Sequence, residues 1–400
     1  MRYTKSIFYT TYGDYKNCGQ FFDYLLASFE LVAFFDLKSH YSDPKKKTTL
    51  TIYRNGRFEE EKKFITLPAS PPIFLVPLYH LYYFLNILGA LLLAKFKFHI
   101  TFDIFITSFS LWSLAGSVGR LLRCCKTVVL WSWDYYPIYK DNPYYFIQLL
   151  LQPFETLAIS VADHSWYASP DNMTVRVRVG QIRQPSDKKH KVVHWGNGGN
   201  LTGPAESSLL NTGTLRIVYF GALHFEKGLS LVVDSAAEIA KLTRGKLDVI
   251  FIGRMTPYGK TLAERVFAEG TAKYIRFIDF MSLTQFSQIA SESDLGLALF
   301  VPEIGGKINF SHYADPAKPR DYLAFGLPIL TTTVPFIHED IKKYNAGFVL
   351  KEYTKEELIS AIKSYMANPK LYKEGAYSLS RVDRYNDYYS KQFDPIAQNN

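Results

Sequence analysis

The tightest constraint on this chain is the alternation of short apolar runs with longer amphipathic ones in its second half. LRIVYF (215–220), LDVIFI (247–252), residues 275–280 and DLGLALF (294–300) are rich in β-branched and aromatic residues. Such runs suit strands buried on both faces of a sheet. Between them, residues 229–242 and 282–292 have the length and spacing of helices. Strand–helix–strand repeats of this size close as right-handed β-α-β units. The sequence therefore predicts an α/β fold with a parallel, doubly wound sheet.

These repeats lead into residues 313–330, YADPAKPRDYLAFGLPIL. Leu323, Ala324 and Phe325 favour a helix, Gly326 suits the position just past its end, and Pro328 blocks its continuation. The preceding loop brings Asp315, Lys318, Arg320 and Asp321 to one helix N-terminus. Unpaired backbone N–H groups and the helix dipole make such an end suitable for an anion. Lys318 would neutralise a phosphate there, and Asp321, placed in the first turn, would accept hydrogen bonds from a sugar diol. A capped helix with solvated charges is the plainer reading of the same residues.

The first half opens as a Rossmann-like unit: a strand at 6–11, a loop at 12–19 holding Asn17, Cys18 and Gly19, and an apolar helix over about 20–33. Asn55-Gly56 divides two alternating runs within 48–64, which signals a hairpin with a type I′ turn. The adjoining Lys45-Lys46-Lys47 run reads as a solvated edge. Residues 73–94 carry no charge over a bilayer-spanning length. Pro77, His80, Asn86 and the strand-like HITFDIFITSF that follows favour a helix that is buried or grazes a membrane over a true span. Residues 111–124 read as an amphipathic helix, and the strand TVVLWSW (127–133) delivers Asp134 and Tyr135 at its C-terminal end. Open α/β sheets bind ligands at that end, which makes both residues acceptor-site candidates.

A Gly/Asn/Ser-rich stretch at 185–213, including Asn200, marks the best linker. The expected domains are 1–200 and 212–377, with a tail at 378–400. The net charge of +9, from 46 basic and 37 acidic residues, calls for an anionic partner: nucleotide phosphates, a lipid phosphate or an acidic bilayer face. No nucleic-acid module accompanies that charge, so nucleic acid is not expected. Aromatics at 16% suit interfaces, including the headgroup level of a membrane. Cys18, Cys124 and Cys125 lack metal-ligand spacing, and the N-terminus lacks the apolar core of a signal peptide. The expectation is a reducing, cytoplasmic location with neither disulfide nor zinc.

Three motifs share one resemblance. The pattern P-x-K-x-x-[DE]-Y-L-x-x-G-x-P-[IV] at 316–329 resembles the donor-sugar loop of GT-B glycosyltransferases of the family-4-like, retaining, nucleotide-sugar-dependent group. GALHFEKG (221–228) resembles that family's G-R-x(3,4)-K-G turn, and ADHSWYASPDNM (162–173) its helix end, short strand and Ser-Pro turn. The resemblance implies two facing Rossmann-like domains with a cleft between them and a tail helix crossing back to the first. It implies a nucleotide-diphosphate sugar held by the second domain, with Lys227, Arg254 and Lys318 on the phosphates and Asp321 on the ribose. Gly221, Phe280, Asp315 and Tyr322 complete the donor side, and Asn17, Gly19, Asp134 and Tyr135 form the acceptor side. Asp134, Lys227 and Asp321 are the catalytic candidates, with Asp134 positioning or deprotonating the acceptor hydroxyl. Retention of configuration follows from the resemblance, and neither a metal nor another cofactor is expected. Two positions depart from the pattern: Tyr313 stands where the family has an acid, and Ala222 where it has Arg. The function expected is sugar transfer in cell-surface polysaccharide or glycolipid synthesis, with a sugar or lipid-linked acceptor and peripheral contact with the inner membrane face. The alternative is a non-catalytic nucleotide- or carbohydrate-binding protein that keeps the fold.

Overall fold

Ile7, Phe8 and Tyr9 are all buried, and alternate residues of this one strand enter two different cores. That is the signature of a strand covered on both faces. It is β1 (Tyr3–Tyr12), the first of eight strands in one sheet: β2 (Phe29–Leu37), β3 (Thr49–Arg54), β4 (Arg57–Lys63), β5 (Phe102–Thr107), β6 (Cys125–Ser132), β7 (His164–Tyr167) and β8 (His190–Val192). Their order is β4-β3-β2-β1-β5-β6-β7-β8. All pairs are parallel except β2–β3 and β3–β4. The computed structural model describes residues 3–38, 46–68, 72–199, 201 and 203–398. Lys45 of the lysine run and Asn200 of the linker therefore lie outside the described residues. The chain divides into one unit of residues 1–195 with 385–400 and another of residues 196–384.

In the first unit α1 (Phe21–Ser28) covers one sheet face, packing Phe21, Tyr24 and Leu25 with Tyr9 and Trp131. The other face carries α2 (Val76–Lys97), α3 (Ser110–Leu121), α4 (Tyr145–Val161) and α5 (Pro170–Arg178). The Asn55-Gly56 turn joins β3 to β4 with both residues at positive φ, as a type I′ hairpin requires. The helix expected over 20–33 is shorter: it ends at Ser28, and Phe29–Leu37 pairs in parallel with β1. A short run of buried apolar residues has no periodicity that separates helix from strand, and pairing with β1 decided it. Residues 73–98 are long and apolar enough to cross a membrane. In the fold, however, α2 lies on the sheet, burying Tyr83, Ile87, Ala90, Leu91 and Ala94.

The second unit begins with α6 (Ser208–Thr212) and then alternates: β9 (Leu215–Phe220), α7 (Leu229–Leu242), β10 (Leu247–Ile252), α8 (Pro257–Ala268), β11 (Ile275–Ile278), α9 (Leu283–Ser291) and β12 (Leu295–Ala298). A small hairpin, β13 (Glu303–Ile304) with β14 (Lys307–Ile308), precedes α10 (Ala317–Ala324), β15 (Ile329–Thr332), α11 (His338–Lys343), β16 (Gly347–Leu350), α12 (Lys355–Ala367) and α13 (Pro369–Ser380). The main sheet is parallel in the order β11-β10-β9-β12-β15-β16. Numbered from β9, that is the 3-2-1-4-5-6 order of a dinucleotide-type fold. Asp294 is buried at the amino end of this sheet, where Arg216 N, Leu209 N, the Ser207 hydroxyl and the Tyr365 hydroxyl all donate to it. Four donors explain how a carboxylate tolerates that position, and they mark it as structural.

α14 (Tyr385–Gln398) closes the chain as part of the first unit. Tyr389 and Phe393 pack on Phe21 and Tyr24, with Trp131 against Tyr389 and Trp166 against Phe393. Before it, the two passages of chain between the units are stitched together inside the second. Asn197 N donates to Asp383 O at 2.9 Å, and its side-chain amide donates to Leu379 O and Val382 O.

Candidate functional site

A doubly wound sheet opens a crevice where neighbouring strands turn away in opposite directions, at the carboxyl ends of the strands. In the second unit that point lies between β9 and β12. The loop after β9 (residues 221–228), the loop after β10 beginning at Gly253-Arg254, the segment 299–316 and the start of α10 all belong to this edge.

Close packing holds these loops together. Gly253, at φ 153°, leaves no room for a Cβ against Gly221 O. An added Cβ on Gly221 would lie 2.6 Å from Lys318 Cε, so the Lys318 side chain crosses directly over the β9 loop. Its ammonium also stands 5.4 Å from the Tyr219 ring centroid. Lys227 follows in the same loop, half-buried, with its Nζ 5.1 Å from the Phe300 ring centroid and 5.6 Å from that of Phe310. Glu226 Oε1 lies 3.8 Å from that Nζ. The Glu226 carbonyl accepts from Val301 N at 3.1 Å and Asn309 Nδ2 at 3.3 Å, pinning the lysine loop to the segment after β12. Gly228 then starts α7 at φ 69°, where only glycine fits against Leu299 O.

α10 begins at Ala317, one turn earlier than the sequence suggested, because Pro316 serves as its N-cap. Lys318 thus occupies the first turn, and Asp321 moves to the second, a correction to its expected place. Asp321 is half-buried, and desolvation pushes its carboxyl up from 3.8 to about 7, with Lys318 opposing the shift. Arg254 is exposed at the end of β10, and its carbonyl accepts from Leu223 N. Phe280 is 67% exposed beyond β11, with its ring centroid 6.0 Å from that of Phe220.

Two donor-side candidates turn inward. Tyr322 is buried, donates to Leu297 O at 3.0 Å and accepts from Phe220 N at 3.1 Å, so its hydroxyl ties β9 to β12. Asp315 is also buried and holds Arg320 Nε at 2.7 Å, while Arg320 Nη1 donates to Asn197 Oδ1 at 2.7 Å. Tyr313, at the family's acidic position, is buried as well.

The first unit places its own candidates at the carboxyl ends of β1 and β6. Asn17 spends its amide locally, donating to Asp23 Oδ2 at 2.9 Å and accepting from Asp23 N at 3.0 Å. Gly19 is buried, with its carbonyl accepting from the Tyr389 hydroxyl. Asp134 is half-buried after β6, and Tyr135 is buried with the Arg176 guanidinium 5.2 Å from its ring centroid.

Arg176 went unnoticed in the sequence. It is buried, and it donates to Asn172, Gln181, Ser132 and the Asp134 carbonyl, fixing the loop that carries Asp134. Phe300, Phe310 and Asn309 were missed in the same way, since nothing in their spacing marks them as the walls around Lys227. Among the described residues, no group of three or more His, Cys, Asp or Glu stands together as a metal site.

Residues 214–368 match the family described as glycosyl transferases group 1. Among curated proteins none matches the sequence. Solved structures similar to the whole chain include Anabaena HepE in complex with UDP and glucose (14% identity, 99% of this chain and 98% of that one, TM-score 0.58). Sucrose-phosphate synthase from Thermosynechococcus elongatus (13% identity, 99% and 97%, TM-score 0.61) is another. A UDP-forming trehalose-phosphate synthase from Burkholderia xenovorans (11% identity, 99% of each chain) has a TM-score of 0.65.

Proposed function

We propose that this chain, which has the GT-B fold and whose second unit carries a glycosyl transferases group 1 domain, moves a sugar from a nucleotide-diphosphate sugar to an acceptor hydroxyl. The observation that carries the reading is the placement of Lys227 on the β9 loop and Lys318 on the first turn of α10, its side chain packed over that loop, at the switch point between β9 and β12. Two ammonium groups beside a helix N-terminus suit a diphosphate, and they suit it better as negative charge builds on the departing group. Arg254 adds a third cation in place of the arginine missing at Ala222. Asp321 accepts from the ribose hydroxyls, and Phe280 offers an exposed ring at the same edge. UDP is the first nucleotide to test, because HepE binds it.

On the acceptor side, Asp134 positions or deprotonates the attacking hydroxyl, held in place through Arg176. We propose a retaining outcome with no metal or other cofactor required, a cytoplasmic location, and an acceptor that is lipid-linked, as in polysaccharide or glycolipid synthesis. The departures at Ala222 and Tyr313 favour one second reading, a protein that binds the nucleotide sugar without turning it over.

A thermal-shift screen against UDP, GDP, ADP and dTDP, with and without their sugars, tests the donor site, because a ligand that binds only the native state raises its midpoint. One nucleotide should raise it by several degrees, and Lys227→Met should remove that shift and cost roughly 10²-fold or more in transfer. A shift with no sugar turnover would establish the binding-only reading. No shift from any nucleotide would overturn the donor site.

A further inference from the structure

The helices α2 and α4 touch each other and both pack on α3, so their outward faces form one layer over the first unit. Those faces are apolar. Phe74 just before α2, then Leu78, Leu81, Leu85 and Phe96, are 75%, 58%, 53%, 55% and 70% exposed. The spacing of the first four follows one face of a helix. On α4 the exposed residues Phe146, Leu149, Leu150, Phe154 and Leu157 recur at i, i+3, i+4, i+8 and i+11. Two apolar stripes on neighbouring helices of a folded unit exceed the scattered exposed leucines of an ordinary surface.

Lysines and arginines flank them; of the acids nearby, Asp141 precedes α4, Glu155 on α4 faces Arg176, and Asp103 pairs with Lys126. α2 ends with Lys95 and Lys97, and Arg123 and Lys126 follow the neighbouring α3. The first unit holds 24 Lys and Arg against 17 Asp and Glu, or +7 of the chain's +9. A second copy related by a two-fold axis would bring these like charges together, whereas an acidic headgroup layer attracts them. We propose that the outer faces of α2 and α4 form a docking surface for an anionic lipid bilayer, on which the first unit lies without crossing it. Phe and Leu enter the acyl boundary, while the lysines and Tyr144, at the start of α4, stay at headgroup level. This extends the proposal of a lipid-borne acceptor and relies on it only for that acceptor.

The test is flotation of the full chain with phosphatidylcholine vesicles, with and without phosphatidylglycerol. Binding should need the anionic lipid and weaken with salt. The triple variant Leu78→Glu, Leu81→Glu, Leu150→Glu should lose about tenfold or more of it, and Lys97→Glu should lower the anionic preference. All four positions are exposed or at a helix end, so the thermal midpoint and its nucleotide shift should stay intact and report folding and the donor site separately. A wild type that ignores anionic vesicles, or a triple variant that binds them equally well, would overturn the proposal. So would a stable dimer that the triple variant dissolves in the absence of vesicle binding, which would give the face to a second copy. Vesicle binding with no nucleotide shift would instead sink the transferase reading and leave the docking surface standing.

Discussion

Asp321 titrates where few carboxylates do, and its two states have opposite uses. The unfolded chain gives up this proton near pH 4, whereas burial lets the native chain keep it to about pH 7. Between those values the native state binds more protons, so this group's contribution weakens folding as pH rises and strengthens it as pH falls. A donor ribose reverses the preference, because its hydroxyls donate to an ionised carboxylate. Affinity for UDP-glucose should therefore rise with pH through about 7, with proton release on binding. Titration calorimetry in two buffers of different ionisation heat measures that release, and Asp321→Asn should flatten both trends. Equal heats in the two buffers would take the ribose away from Asp321. That Lys227 and Lys318 sit at the carboxyl edge of the sheet was legible in the sequence because motif spacing reports backbone position, although α10 starts a turn early and moves Asp321 to its second turn. Spacing does not say which side of a turn or short helix is buried, and Asp315, before α10, and Tyr322, on it, both point into the protein.

The elements around the donor edge depend on backbone contacts that tolerate no side chain. Gly228 starts α7 with positive φ against Leu299 O, and Gly253 faces Gly221 O. Alanine at Gly228 would both strain φ and push the β9 loop from β12, moving Lys227 from between Phe300 and Phe310. We expect Gly228→Ala to cost about 1–3 kcal/mol, seen as a lower urea midpoint, with a loss of nucleotide affinity beyond that of a core variant of equal stability such as Val266→Ala. Wild-type affinity in Gly228→Ala would show that the turn does not position the lysine. β9 to β12, α7 and α9 were readable because each of these strands is a compact apolar run and each of these helices is long enough to show its period, whereas α8 and β16 were not singled out. β2 was not readable, since its apolar content serves a helix or a strand equally well until β1 is beside it.

At the scale of the whole molecule, the first unit is built from two separate pieces of chain. α14 supplies Tyr389 and Phe393 to a cluster with Phe21, Tyr24, Trp131 and Trp166, and Lys191 donates to Gln392 at 2.9 Å. Ending the chain at residue 384 should leave this aromatic face bare. The truncated protein should bind a hydrophobic dye and show a separate, lower melting transition for the first unit, while the second melts near its usual temperature. A single transition at the wild-type temperature would mean α14 is dispensable. The family resemblance implied a return of the tail toward the first domain, but the aromatic ring packing that anchors it joins residues more than 350 positions apart, and no local pattern records that. The same arrangement sets an order during synthesis. Residues 196–384 are continuous, so the second unit is complete as soon as they have left the ribosome. The first unit, though translated earlier, must wait with Phe21 and Trp131 uncovered until the last helix arrives. The half of the protein made first is therefore the half that finishes last, and it passes its exposed interval carrying the chain's most aromatic surface.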